Sequence, residues 1–277
     1  MTITSSFRKK RKFKKIVKDI KSLKIQGARD IARKALFAYF LFPSEKTRRK
    51  LISLRPTEPM LVNVLNKTKK DSYKEIFSHF EFAQDKINKN VFKLIKSKDL
   101  IFTHCHSSAV VESLIYAKNK GKKFEVYNTE TRPFFQGRKT LKELSDAKIK
   151  VTHFVDSAIN VALTKQQGTK KVKKIFLGAD AIMSDGVLNK IGSGAISQLA
   201  KDNKIPLYIV ADSWKYSKHP VKIEQRSPKE IWNKIFKKSL IQNPSFELIP
   251  KNQIKAIVSE LGILTYSEFL KKVRKQI

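Results

Sequence analysis

One cysteine in 277 residues, Cys105, excludes an internal disulfide framework and any zinc site of the paired Cys-x-x-Cys type. A reducing compartment follows from that usage. Long apolar runs are missing as well: nothing approaches the roughly 18 residues that a membrane-spanning helix needs. The N-terminus, MTITSSFRKKRKFKKIVKD, passes from a basic stretch into an amphipathic pattern and lacks the apolar core of a secretory signal. These absences lead us to expect a cytoplasmic chain with no membrane attachment. There is no internal repeat or low-complexity segment. Acidic residues are few: 24 Asp and Glu stand against 59 Lys and Arg, a formal net charge of +35.

What is present has globular proportions. A chain that is 41% hydrophobic and 30% charged is not a disordered, collagen-like or fibrous one. Single cores stop growing near about 250–300 residues, so one large domain or two modest ones would fit, and we expect two unequal parts. The positive field draws anions. On charge alone nucleic acid is an expected partner, and ribosomal surfaces, acidic membranes and phosphorylated metabolites satisfy the same field. Lysines run along the whole chain, which suits a general lysine bias as well as a dedicated nucleic-acid face.

From Phe7 to about Phe42 apolar residues recur at helical spacing (Phe13, Ile16, Val17, Ile20, Leu23, then Ile31, Ala35, Leu36), with cations between them. The pattern reads as helix, break, helix, with the break at Lys24 to Asp30 around Gly27. The helix start after it is an anion site through its free N–H groups. A turn at Ser53 to Thr57 leads into further helical spacing through Leu61, Val64, Ile76, Phe80, Ile87 and Val91 to Ile95. Residues 1–96 therefore read as an N-terminal helical domain.

After Lys98 short β-branched and aromatic runs alternate with helical patterns, the spacing of βα units. Strands are expected at Leu100–Thr103, Phe124–Asn128, Lys150–Val155, Lys173–Leu177, Leu207–Ala211 and Ala256–Ser259. Helices are expected near 108–120, 137–147, 157–165 and 192–202. Residues 97–277 then form a Rossmann-like α/β domain with a mostly parallel sheet covered on both faces, and ligands sit at the carboxyl ends of its strands.

Each strand end carries polar residues: Thr103 to Ser108, Thr129 to Pro133, Asp156 with Ser157, Gly178 to Asp180, and Asp212 to Lys215. Simple turns use Gly, Asn and Pro without gathering thiol, carboxylate, guanidinium and ammonium groups on one rim. Cys105 is either a buried small hydrophobe or, just before a helix start at Ser107 and Ser108, a thiol whose pKa that start lowers. In an extended chain His104 and His106 point away from Cys105, so a Cys–His dyad is not the natural inference, and metal binding by the two histidines is a weak reading. Asp180, after an apolar strand, is a candidate general acid with a burial-raised pKa, or else a cap or ion-pair partner. The stretch Asp185 to Gly194 reads as a turn, a polar pair and a helix start. Asn189 and Lys190 there can hold hydroxyl and phosphate oxygens.

These clusters, in this order, resemble the family that joins the alpha, beta and delta subunits of translation initiation factor 2B with two sugar-phosphate isomerases, those of methylthioribose 1-phosphate and ribose 1,5-bisphosphate. The markers are IQGAR at 25–29, RPT at 55–57, THCHS at 103–107, TETRP at 129–133, QG at 136–137, VDSA at 155–158, GAD at 178–180, NKIGS at 189–193 and ADSWKY at 211–216. They span nearly the whole chain. The regulatory subunits usually lack the cysteine–aspartate pair that the isomerases carry, and this chain has it at Cys105 and Asp180. TETRP and the compact length are more similar to the ribose 1,5-bisphosphate enzyme. Two departures stand out: Gln26-Gly27-Ala28-Arg29 replaces an Arg-Gly-Ala-Gly type segment, and the loop from Asp180 to Asn189 is one residue short.

The resemblance implies an aldose–ketose isomerase converting ribose 1,5-bisphosphate to ribulose 1,5-bisphosphate, with Cys105 and Asp180 catalytic. It implies phosphate contacts at Gln26, Gly27, Ala28, Arg29, Arg55, Ser107, Ser108, Ala109, Asn189, Lys190 and Lys215. Neither metal nor organic cofactor is implied. The partners implied are a phosphorylated sugar, a nucleotide effector and further copies of the chain, as a dimer or a multiple of dimers. The alternative is a non-catalytic subunit like that of initiation factor 2B, which binds nucleotide or sugar phosphate together with an initiation factor.

Overall fold

The computed structural model describes residues 3–22, 24–223, 225–234 and 238–276, so Leu23 of the first apolar stripe lies outside the described residues. Five helices come first: α1 (Ile3–Lys21), α2 (Ala28–Leu41), α3 (Glu45–Ile52), α4 (Pro59–Lys67) and α5 (Tyr73–Leu94). Local chemistry starts several of them. Ser44 caps α3 by accepting the Thr47 N–H, Pro59 opens α4 where no N–H is needed, and Ser72 with Glu75 forms a capping box on α5. The buried alanines of α2, among them Ala32, Ala35 and Ala38, let its neighbours approach closely. One cluster gathers Ile20, Ile31, Leu51, Leu61 and Leu65 with Phe13, Ile16 and Val17 of α1.

The rest runs β1 (Leu100–Thr103), α6 (Ser108–Asn119), β2 (Glu125–Thr129), α7 (Gln136–Asp146), β3 (Lys150–Phe154), α8 (Ile159–Leu163), β4 (Lys174–Leu177), β5 (Ala181–Ile182), β6 (Gly186–Lys190), α9 (Ser193–Asp202), β7 (Leu207–Val210), β8 (Phe246–Pro250), β9 (Ala256–Ser259), β10 (Gly262–Leu264) and α10 (Tyr266–Val273). The main sheet has the order β10-β9-β7-β4-β1-β2-β3 and is parallel except where β10 folds back on β9. Alternation along the strands sends neighbours to opposite faces. Phe102, Ile175, Leu177 and Ile209 meet α8, α9 and α10 on one side, while Ile101, Phe176, Val210 and Val258 meet α5, α6 and α7 on the other. The second half of α5 (Ile87, Val91) belongs to that sheet core, and its first half (Ile76, Phe80) packs with α2 and α4.

The six expected strands are present to within a residue or two at each end, and the α/β class stands. One expectation needs correction. Asp185 to Gly194 is not a turn followed by a helix start alone: Gly186–Lys190 is a strand, the centre of a small antiparallel sheet β5-β6-β8. Val187 and Leu188 are buried there against Ile182, Ile249 and Met183, and a five-residue strand with two polar residues at its end shows no alternation long enough to read.

Candidate functional site

The chain leaves β1, builds outward through β2 and β3, and returns to place β4 on the other side of β1, in the register Ile101 to Lys174 and Phe102 to Ile175. This reversal opens a crevice at the carboxyl ends of two adjacent strands, where open α/β sheets bind ligands. Cys105 follows one of those strands and Asp180 the other.

Cys105 is not in extended backbone. Its φ is +65°, a left-handed conformation that a side chain adopts at a cost of about 1–3 kcal/mol unless its surroundings hold it. They do. The Cys105 N–H donates to Thr131 Oγ1 at 3.0 Å, and the Thr140 hydroxyl donates to the Cys105 carbonyl at 2.8 Å. Thr131, itself left-handed, is fixed in turn by Asp156, whose carboxylate accepts the N–H groups of Thr131 and Arg132 at 2.8 and 2.7 Å. The thiol reaches Gln136 Oε1 at 3.6 Å.

The two histidines turn elsewhere. His104 donates from Nε2 to the Ile191 carbonyl at 2.8 Å and accepts the Thr129 hydroxyl on Nδ1 at 2.5 Å, while burial lowers its pKa and keeps it neutral. His106 Nε2 bonds Glu143 at 3.1 Å. The one cluster of potential metal ligands among the described residues is a different set, His79, Asp212 and Glu260, within 4.8 Å of one another. There His79 stacks on Trp214 and bonds both Asp212 oxygens at 3.1 and 3.2 Å, clasping α5 to the end of β7.

Across the crevice, Gly178 leaves room for α6: a Cβ on it would lie 2.7 Å from both Cβ and Oγ of Ser107. Asp180 donates its N–H to the Leu188 carbonyl at 2.8 Å, so the small sheet holds it. Burial raises the pKa of its carboxyl, against the pull of Lys215, Lys190 and Arg55. The Cys105 thiol is also pushed up, to about 11, by burial, with Lys190 pulling it down. Burial thus moves the thiol in the direction opposite to the lowering expected of a helix start.

The cavity between these strand ends and the helical segment holds about 430 Å³, the size of small-molecule sites. It is lined by Cys105 and Asp180, by Gln26, Gly27, Ala28 and Arg29 at the start of α2, by Arg55, by Ser107 and Ser108, and by Asn189, Lys190 and Lys215. Ala109 is set apart from these, lining a smaller neighbouring cavity with Arg29, Ser108 and Lys215. The cations differ in their commitments. Arg29 is ion-paired with Glu112 and donates to Gln84 at 3.0 Å, and Arg55 pairs with Glu58 at 3.2 Å. Lys190 lies over the Phe246 ring and Lys215 donates to the Ala179 carbonyl. Among the described residues neither lysine is in an ion pair. Asn189 donates to the Ser193 hydroxyl at 2.8 Å, and Gln26 accepts from Gln136 at 3.2 Å.

Further lining residues were not found by reading the sequence. Lys139 and Glu143 sit on the exposed-looking stretch of α7, and Phe134, Arg226 and Phe246 also face the cavity. Arg226 pairs with Glu230 and lies over the Phe134 ring at 5.1 Å. The QG marker at 136–137 was the available signal for α7, since a Cβ on Gly137 would meet the Thr129 carbonyl at 1.7 Å. No periodicity marks the segment that carries Arg226.

A parallel sheet with a polar cavity at its strand reversal, roofed by helices, defines an α/β protein whose cavity has the size and polar lining that suit a small polar molecule. More specifically, residues 24–266 match the Initiation factor 2 subunit family, and the chain belongs to that family. It is 34% identical to the ribose 1,5-bisphosphate isomerase of Methanocaldococcus jannaschii, with 91% of each chain covered. It is 28% identical to a putative translation initiation factor eIF-2B subunit 2-like protein of Pyrococcus furiosus, covering 90% of this chain and 95% of that one. The fold superposes on the translation initiation factor eIF-2B of Pyrococcus horikoshii OT3 with a TM-score of 0.78 at 24% identity, covering 91% and 96%.

Proposed function

We propose that the chain is a sugar-phosphate aldose–ketose isomerase that converts ribose 1,5-bisphosphate to ribulose 1,5-bisphosphate. The observation that carries this reading is the meeting of a carboxyl with a raised pKa, Asp180, and the sole thiol, Cys105, in one cavity at the ends of adjacent strands. The similarity to archaeal ribose 1,5-bisphosphate isomerases supports it. The reaction moves hydrogen from C2 to C1. Asp180, protonated, gives its proton to the ring oxygen as the ring opens. Cys105 takes the C2 proton as thiolate and returns it to C1 of the enediol-like intermediate, while the C2 hydroxyl gives its proton to the Asp180 carboxylate as it becomes the carbonyl, so both groups end in their starting protonation states. Lys190 pulls the thiol's pKa down against the burial that raises it, which favours the small thiolate fraction that reacts, and with Lys215 it offsets phosphate and enolate charge. Gln26 to Arg29, Arg55, Ser107, Ser108, Ala109 and Asn189 complete the proposed binding set. We further propose the division into 1–96 and 97–277, a homo-oligomer, and a nucleotide effector.

The second reading, a factor-like subunit that senses a nucleotide or sugar phosphate without turning it over, draws on the 28% identical relative. A phosphorus-NMR assay with ribose 1,5-bisphosphate separates the two. Ribulose 1,5-bisphosphate should appear, and Cys105→Ser and Asp180→Asn should each abolish it. A folded wild-type protein that leaves the substrate intact would move the weight to the factor-like reading.

A further inference from the structure

Charge is sorted more sharply on α1 than on the paired surfaces of α5 and α7. Between Arg8 and Lys21 this helix holds nine lysines and arginines and one carboxylate, Asp19. Eight of the nine cations are exposed and Lys9 is half-buried. Among the described residues none of them is in an ion pair. Some lysines elsewhere are interleaved with acids and pair with them, as Lys89 with Asp85 on α5, Lys142 with Asp146 on α7, and Lys170 with Glu125. A general lysine bias accounts for that mixed surface. It does not account for a helix face from which acids are missing.

The buried side of α1 decides what the exposed side can bind. An anionic membrane takes an amphipathic helix by its apolar face. Here that face is already used: Ile20 is fully buried, and Phe13, Ile16 and Val17 pack on Ile31, Ala35, Leu61 and Leu65. What points outward is ammonium and guanidinium groups together with one large apolar side chain, Phe7, 73% exposed. Cations that displace condensed counterions, beside an aromatic ring free to stack on a base, match a single-stranded polynucleotide.

We propose that the outward face of α1 binds the phosphodiester backbone of single-stranded nucleic acid, with Phe7 stacking on a base. The surface lies apart from the cavity residues, so it stands or falls independently of the isomerase reading. It also gives part of the +35 charge a location and a partner.

The test is fluorescence anisotropy of a labelled uridine 20-mer and a thymidine 20-mer with the full chain, titrated in salt. One variant carries Lys10→Gln, Arg11→Gln, Lys14→Gln, Lys15→Gln and Lys18→Gln. A control removes the same charge from exposed lysines elsewhere: Lys123→Gln, Lys171→Gln, Lys201→Gln, Lys255→Gln and Lys271→Gln. Glutamine is a good helix former, and thermal melts confirm that both proteins fold. We expect the α1 variant to lose at least about tenfold in affinity near 0.1 M salt and to flatten the log–log salt slope by up to about 3.5, at roughly 0.7 per phosphate released. The control should stay within about twofold. Phe7→Ala should weaken the single strands several-fold and leave an RNA duplex unaffected. Three outcomes overturn the proposal: equal losses in the two five-residue variants, no binding by the wild-type protein, or binding to phosphatidylserine vesicles without binding to either oligonucleotide.

Discussion

Gly178 and Ser107 stand so close that a single added carbon on Gly178 would lie 2.7 Å from the Ser107 side chain. This contact joins the turn after β4 to the start of α6, and so fixes how near Asp180 comes to Cys105. Gly178→Ala should force the two strand ends apart. We expect a stability loss of about 1–3 kcal/mol by urea denaturation, the range for an overpacked contact. The isomerase turnover should fall well beyond what that loss explains, because the acid and the thiol no longer share one geometry.

The buried thiol sets a pH dependence. With its pKa pushed up to about 11, Cys105 is a neutral thiol at pH 7.5, and only a small thiolate fraction reacts with iodoacetamide. The alkylation rate followed by mass spectrometry should rise about tenfold per pH unit between pH 8 and 10. Lys190→Ala should slow it further at each pH, since the ammonium is the main group drawing the thiol down.

Arg29 is engaged by Glu112. A phosphate at the start of α2 would have to take the guanidinium from that carboxylate. Glu112→Gln removes the competitor, and KM for ribose 1,5-bisphosphate should fall by about three- to tenfold, or roughly 0.7–1.4 kcal/mol, with kcat little changed. An unchanged KM would mean that Arg29 only ties α2 to α6.

Glu260 links stability to pH. Burial and the neighbouring Asp212 raise its carboxyl to about 7, from 4.5 in the unfolded chain. The folded state therefore keeps a proton that the unfolded state releases, so stability falls as pH rises from about 4.5 to 7. The contribution is complete below that window and lost above it, on the order of 3 kcal/mol in all. Subtracting the urea stabilities of Glu260→Gln from those of the wild-type protein across pH 4.5–8 should isolate this slope. A flat difference would refute it.

Lys190 and Lys215 carry the charge balance of the proposed site. Replacing either with alanine should raise KM at least about tenfold, or 1.4 kcal/mol. Lys215→Ala should also raise the Asp180 pKa further, because that ammonium is the largest influence pulling it down. The alkaline limb of the kcat profile should then move to higher pH.

Much of the architecture was legible because its signals are local. Helical spacing marked α1, α2 and α5, and the six longer runs of β-branched residues marked the parallel strands. The small sheet β5-β6-β8 and the terminal β10 and α10 were not legible, since strands of two to five residues stabilised by partners far along the chain carry no period of their own. The polar strand ends were visible too, and twelve of the thirteen residues expected at the site line one cavity. Arg226 was invisible, because an arginine in an unpatterned segment becomes a site residue only when that segment folds back over the sheet.

The sequence by itself determined which groups stand at the strand ends, which helices begin where, and that the chain carries a strong positive charge. Those properties follow from side-chain chemistry and from periods of two and 3.6 residues. Tertiary structure alone decided that β1 and β4 are neighbours, which brings Cys105 and Asp180 together across a strand reversal. It also decided the left-handed turn at Cys105, the capture of Arg29 by Glu112, and the raised pKa of the thiol. Crossover connections and burial are relations between distant segments, and no local pattern encodes the dielectric that surrounds a side chain.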